Sequence, residues 1–175
     1  MGTWGIFAQM SQASHIPDSQ NRSATYPSMV RQWCALIDGE PNRMANLANV
    51  ASGISMAFPW HWVGFYLVDE KRDELVLGPF QGPVACTRLF HGKGVCASAW
   101  DSMQPVIVDD VQTFPGHVAC SALTVSELVL PLVVEQRVVA VLDIDSIVPA
   151  NFSQVDVEGF KPLLEAIQNA WMSWE

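Results

Sequence analysis

Two carboxylates near the end of an apolar strand, with three cysteines upstream, are the residues of this chain best suited to chemistry. The strand reads Arg137-Val-Val-Ala-Val-Leu-Asp143-Ile-Asp145-Ser146. Asp143 and Asp145 are two apart, so in a strand they leave the same face, while Leu142 and Ile144 leave the other. Two anions side by side against a hydrophobic core are unfavourable unless something cationic binds there. The preceding segment, Ser126-Glu127-Leu-Val-Leu-Pro-Leu-Val134, reads as the hairpin partner. A turn centred on Gln136 places Glu127 opposite Asp145 on the same face. A turn centred between Glu135 and Gln136 shifts the register by one and flips it. Three carboxylates on one face suit a small ligand carrying an ammonium group.

The cysteines Cys86, Cys96 and Cys120 all lie near Gly or Pro punctuation, in Gln81-Gly-Pro-Val-Ala-Cys86, Gly92-Lys-Gly-Val-Cys96 and Phe114-Pro-Gly-His-Val-Ala-Cys120. Cys120 ends a long loop, where reactive groups tend to be displayed. Three readings stand side by side. The thiols are small buried hydrophobes; or they bind zinc with His91 and His117, although no CxxC or HxxxH pair is present; or they form a redox set, with one thiolate attacking and a second thiol resolving a sulfenic acid. No metal and no cofactor are expected. Trp62 suits an aromatic wall for an apolar or S-methyl group, or a place in the core. His117 either lowers the pKa of the Cys120 thiol or packs its loop. His15, His61 and His91 read as surface residues, and Cys34 as an inert helix residue.

Those side chains need a frame, and 175 residues with 50% hydrophobic content supply one domain of ordinary size. A formal net charge of -9 argues against nucleic acid and against a polybasic membrane patch. No apolar run is long enough for a membrane span, and the N-terminus lacks the basic region of a signal peptide, so a cytoplasmic protein with reduced thiols is expected. Residues 1–25 read as a polar extension, with Trp4, Ile6 and Phe7 able to dock it. Residues 26–175 read as the domain.

The apolar spacing predicts a helix over 26–37 and a second over 42–58, ended by Pro59. Strands are expected at 62–68, 75–78, 84–90 and 105–108, with a short helix over 95–100. A loop over 109–124 leads into the hairpin. A closing helix starts after Ser153, with Asp156 at capping-box distance, and runs to about Trp171. Strands outnumber crossovers, so the class is α+β, with a mainly antiparallel central sheet flanked by helices.

Eight segments in order carry a family resemblance: Trp62-Val-Gly-Phe-Tyr66, Leu75-Val-Leu-Gly-Pro-Phe-Gln-Gly82, Ala85-Cys86, Gly92-Lys-Gly-Val-Cys96, Asp110-Val111, Phe114-Pro-Gly-His-Val-Ala-Cys120, Ser126-Glu-Leu-Val129 and Leu142-Asp-Ile-Asp-Ser146. Together they resemble the free methionine-(R)-sulfoxide reductases, which are GAF-domain enzymes, over residues 26–171. The resemblance implies reduction of the R epimer of free methionine sulfoxide, with thioredoxin as reductant. It implies that Cys120 is the nucleophile, Cys86 the main resolving thiol and Cys96 a secondary resolver. Trp62 and Tyr66 match pocket positions. Glu127, Asp143 and Asp145 match the carboxylates that bind the amino group and assist protonation of the sulfoxide oxygen. The state of assembly is open, and a homodimer is compatible with the family.

Two features depart from that pattern. Ser121 follows Cys120, where members of the family that the chain resembles usually have Asp, and the N-terminal extension is long. The alternative function is a GAF module that senses a small ligand, or a thiol redox sensor that turns nothing over.

Overall fold

The structure is a computed structural model and describes residues 22–117 and 120–175. The expectations for Trp4, Ile6, Phe7 and His15 lie outside the described residues. Among these residues six strands form one antiparallel sheet in the order β3-β2-β1-β6-β5-β4, where β1 is Trp62–Asp69, β2 Glu74–Gln81, β3 Arg88–Leu89, β4 Val106–Val108, β5 Ser126–Val134 and β6 Arg137–Ser146. Four helices accompany it: α1 (Arg22–Ile37), α2 (Arg43–Ala57), α3 (Gly94–Ser102) and α4 (Gln154–Ala170). The α+β class is as expected. No helix among the described residues is long and apolar enough to cross a membrane.

The sheet divides two cores by strand alternation. Val63, Phe65, Leu128, Leu130, Leu142 and Ile144 point to one face and pack with α1, α2 and α4. Trp62, Tyr66, Val129 and Val141 point to the other, beneath α3. The first face is rich in aromatic contacts. Phe58 stacks on Trp60 at 4.3 Å between ring centroids, and Trp33 on Phe160 at 5.9 Å. Gly159 in α4 permits this approach, since a Cβ there would meet the Tyr26 ring at 2.2 Å.

Helix α1 is already formed at Arg22, four residues before the apolar pattern suggested, and its first described turn is held at long range. Arg22 Nε donates to Asp156 Oδ1 at 2.7 Å, and Tyr26 Oη donates to the same oxygen at 2.7 Å. Asp156 also closes the capping box of α4, accepting from the Ser153 backbone N–H at 2.8 Å. One buried carboxylate thus caps one helix and anchors the first described turn of another. Strand β3 covers only Arg88–Leu89, much less than the 84–90 expected, because the residues before it run out to Cys86 in irregular backbone.

The hairpin register follows neither simple turn alone. Val134 pairs with Arg137 around a two-residue turn of Glu135 and Gln136, both at positive φ, 49° and 63°. Primed turns of this kind match the twist of a hairpin. Carried up the ladder unchanged, that turn would set the flipped register. A bulge intervenes: Val133 pairs with Val138, and Leu132 with Ala140, leaving Val139 extra. Beyond it Glu127 faces Asp145, the arrangement expected from a turn on Gln136. Pro131 is tolerated because β4 pairs only with Glu127, Leu128 and Val129, so β5 has no neighbour there on its outer side.

Replacing Asp156 with Ala strands a buried guanidinium and removes the cap. The expected loss of stability is about 3–5 kcal/mol, the range for breaking a buried pair on one side. Urea unfolding of Asp156→Ala against the unchanged chain measures it.

Candidate active site

The second face of the sheet carries the polar groups that sequence spacing singled out. Asp145 pairs across the ladder with Glu127 on one side and Trp62 on the other, and Asp143 pairs with Val129 and Gly64. Glu127, Asp143 and Asp145 therefore share a face with Trp62 and Tyr66. Glu127 is 7% exposed and Asp143 6%, so both carboxyls are withdrawn from bulk water. Helix α3 lays Cys96 on the same patch, its Sγ 4.0 Å from Glu127 Oε1. The donor atoms of Cys96, Glu127 and Asp143 lie within 4.8 Å of one another, close enough to surround one cation.

Burial and mutual repulsion set the protonation. Burial pushes the Asp143 carboxyl up to about 7, partly offset by hydrogen bonds with Cys96 and Glu127. Burial also raises Glu127 and Asp145 well above the ordinary carboxylate range, and neighbouring carboxylates raise them further. The Cys96 thiol is raised by burial first and then by Asp143 and Glu127. Near neutral pH the cluster retains protons, so it offers an acid as well as an anionic seat. One carboxylate oxygen, Asp143 Oδ1, is buried without a hydrogen-bond partner among the described residues.

The aromatic side of the site depends on a glycine. Trp62 stacks on Phe80 at 5.4 Å and lies 5.9 Å from Tyr66. A Cβ at Gly64 would meet the Trp62 ring at 2.4 Å, so the ring folds back over the strand only because Gly64 has none. Trp62 Nε1 donates to the Pro83 carbonyl at 3.1 Å, and Tyr66 Oη to the Cys86 carbonyl at 3.0 Å. These two bonds hold the loop that carries Cys86.

Cys86 and Cys120 are joined in a disulfide, with Cα atoms 5.3 Å apart, across 34 residues of sequence. The two thiols are thus within bridging reach, as a redox pair requires. Cys120 lines a cavity with Tyr66, Cys96, His117, Glu127, Asp143 and Asp145. Of the site residues expected from sequence, Cys86 reaches this cavity only through its bond to Cys120, and Trp62 packs against Tyr66 rather than lining the wall. Cys34 remains a free thiol on α1, packed at the edge of the other core.

Two histidines read as surface residues have definite partners. His61 Nε2 lies 3.1 Å from Ser121 Oγ, and the His61 backbone N–H donates to the Asp145 carbonyl at 2.9 Å. Ser121 thereby ties the Cys120 loop to the residue that leads into β1. His91 stacks on Trp100 at 3.5 Å, bonds to Asp73 at 3.1 Å, and also bonds to Asp101. His61 meets its partner across 60 residues, whereas the partners of His91 lie 10 and 18 residues away on either side.

Comparison with known proteins agrees with the geometry. The GAF domain model matches residues 45–172. The chain is 45% identical over 149 residues to GAF domain-containing protein A of Dictyostelium discoideum, covering 85% of this chain and 94% of the relative. It is 41% identical to the free methionine-R-sulfoxide reductase of Escherichia coli, covering 85% of this chain and 89% of that protein. It superimposes with a TM-score of 0.86 on the free methionine-R-sulfoxide reductase of Neisseria meningitidis in complex with its substrate. That match is 43% identical and covers 91% of this chain and 95% of the other. The chain belongs to the free methionine-(R)-sulfoxide reductase family of GAF-domain proteins. The GAF fold accounts for the antiparallel sheet flanked by helices.

The raised Asp143 carboxyl has a consequence for stability. Between its ordinary value of 3.8 and about 7 the folded protein keeps a proton that the unfolded chain has released. Stability from this group is therefore highest at low pH and is lost as pH rises through 7. Asp143→Asn is expected to be more stable than the unchanged chain at pH 8, with the gap closing toward pH 4. Urea unfolding at the two pH values measures it, and a gap that grows toward low pH contradicts the assignment.

Proposed function

We propose that this chain reduces the R epimer of free methionine sulfoxide to methionine, through a sulfenic acid on Cys120 and a disulfide recycled by thioredoxin. The observation that carries the reading is the Cys86–Cys120 disulfide at the mouth of a cavity whose other side holds Glu127, Asp143 and Asp145. The substrate's ammonium sits among the carboxylates, and Tyr66, backed by Trp62, flanks its side chain.

The Cys120 thiolate attacks the sulfoxide sulfur, and a carboxyl of the cluster gives a proton to the oxygen as it takes up charge. The new S–S bond breaks with transfer of oxygen to Cys120; methionine departs and Cys120 is left as sulfenic acid. The Cys86 thiol then attacks the Cys120 sulfur, water leaves, and the disulfide forms. An external dithiol returns two electrons and two protons to restore both thiols. Cys86 and Cys120 are each half-buried, which leaves the bond reachable by such a partner. Cys96 lies on the carboxylate side with its thiol held protonated, which suits a reserve resolver rather than a nucleophile.

The reading is tested by methionine formation from each separated epimer, with thioredoxin or dithiothreitol present. Turnover of the R epimer alone is expected. Cys120→Ser should abolish it, and Cys86→Ser with thioredoxin should release about one methionine per enzyme before slowing. Undiminished activity in Cys120→Ser overturns the mechanism.

A further inference from the structure

The cavity has polar lining besides its carboxylates, and part of it is already engaged. Tyr66 Oη is held by the Cys86 carbonyl, and Ser121 Oγ by His61 and the Leu123 N–H. His117 differs. Both of its ring nitrogens are buried, and neither has a hydrogen-bond partner among the described residues. Its backbone N–H is fixed to the Phe114 carbonyl at 3.1 Å, which leaves the imidazole as the uncommitted group of this turn. A buried polar group without a partner costs about 1–3 kcal/mol, a cost that a bound ligand removes.

The ligand's chemistry follows from the rest of the cavity. A free amino acid brings two charges. Its ammonium has three carboxylates to meet, but those same carboxylates repel its α-carboxylate, which needs a donor elsewhere in the lining. Besides His117, Lys93 is the other basic residue there, and its side chain is exposed and forms no ion pair among the described residues. The carboxylate cluster alone also leaves a gap in selectivity. A methionine sulfoxide at the N-terminus of a peptide carries an ammonium group too, and differs from the free amino acid in having an amide and the following chain in place of the α-carboxylate.

We infer that His117 is a substrate-binding residue that donates a ring N–H to the α-carboxylate, and so restricts the site to free amino acids. This rests on the reductase reading above. The pair of recognitions, ammonium at the cluster and carboxylate at His117, measures both ends of the substrate backbone.

The test compares the R sulfoxide of free methionine with the R sulfoxide of methioninamide, which keeps the ammonium and the sulfoxide but lacks the carboxylate. Turnover of the free acid by the unchanged enzyme is read first; its absence overturns the reductase reading, and this inference with it. Given that turnover, His117→Ala should lower kcat/KM on the free acid by about 10–100-fold, mainly through KM, as loss of a charge-assisted hydrogen bond does. On the amide the same variant should change kcat/KM less than about threefold. His117→Gln keeps an N–H donor and should recover part of the preference. It also carries the test if the alanine variant fails to fold. Equal losses on both substrates, or no loss on the free acid, overturn the inference while leaving the reductase reading intact.

Discussion

Three carboxyl groups on one buried patch of sheet, opposed across adjacent strands, are the constraint around which this molecule is arranged. Glu127 and Asp145 face each other, and Asp143 sits two residues away on the same strand. Stripped of water, such a set cannot be fully ionised without a bound cation. The patch therefore stores protons when empty. One extra residue in β6 decides whether the set exists, since without the bulge at Val139 Glu127 would turn into the helical core.

The two faces of the sheet divide the work. The face under α1, α2 and α4 is aromatic and closely packed, and it is locked at one corner by the buried Arg22–Asp156 pair. The other face is covered by short elements and loops, and these carry Cys86, Cys96 and Cys120. Trp62 and Tyr66 bridge the difference. They are rooted in a central strand, yet they bond the Pro83 and Cys86 carbonyls, so a rigid element positions a loop.

Much of this was legible in the chain. Alternation in the two hairpin strands, the end of α2 before Pro59 and the capping pattern at Ser153 are local signals, and the fold honours each of them. The carboxylates were legible because two acids at spacing two inside an apolar strand have few structural uses. What local pattern did not carry is long-range pairing. Arg22 and Tyr26 on α1 are held by Asp156, 134 and 130 residues away. His61 meets Ser121 across 60 residues, and nothing in Trp60-His61-Trp62 distinguishes it from a surface histidine. The bulge was hidden for a related reason: Val138 and Val139 are interchangeable by type, and only pairing with β5 on one side and β1 on the other selects which one is extra.

The Cys86–Cys120 bond closes a ring of chain that contains β3, α3 and β4, which together make the cover over the second face. By the chain-entropy account, a ring of this length restrains an unfolded chain by about 3–4 kcal/mol. Breaking or making this bond therefore changes the topology of the cover as well as the state of two sulfurs. The oxidised protein holds its roof as a loop tied at both feet, and the reduced protein holds the same roof by packing alone. Its susceptibility to local opening, and to any protease that exploits opening, thus becomes a readout of whether the bond is closed.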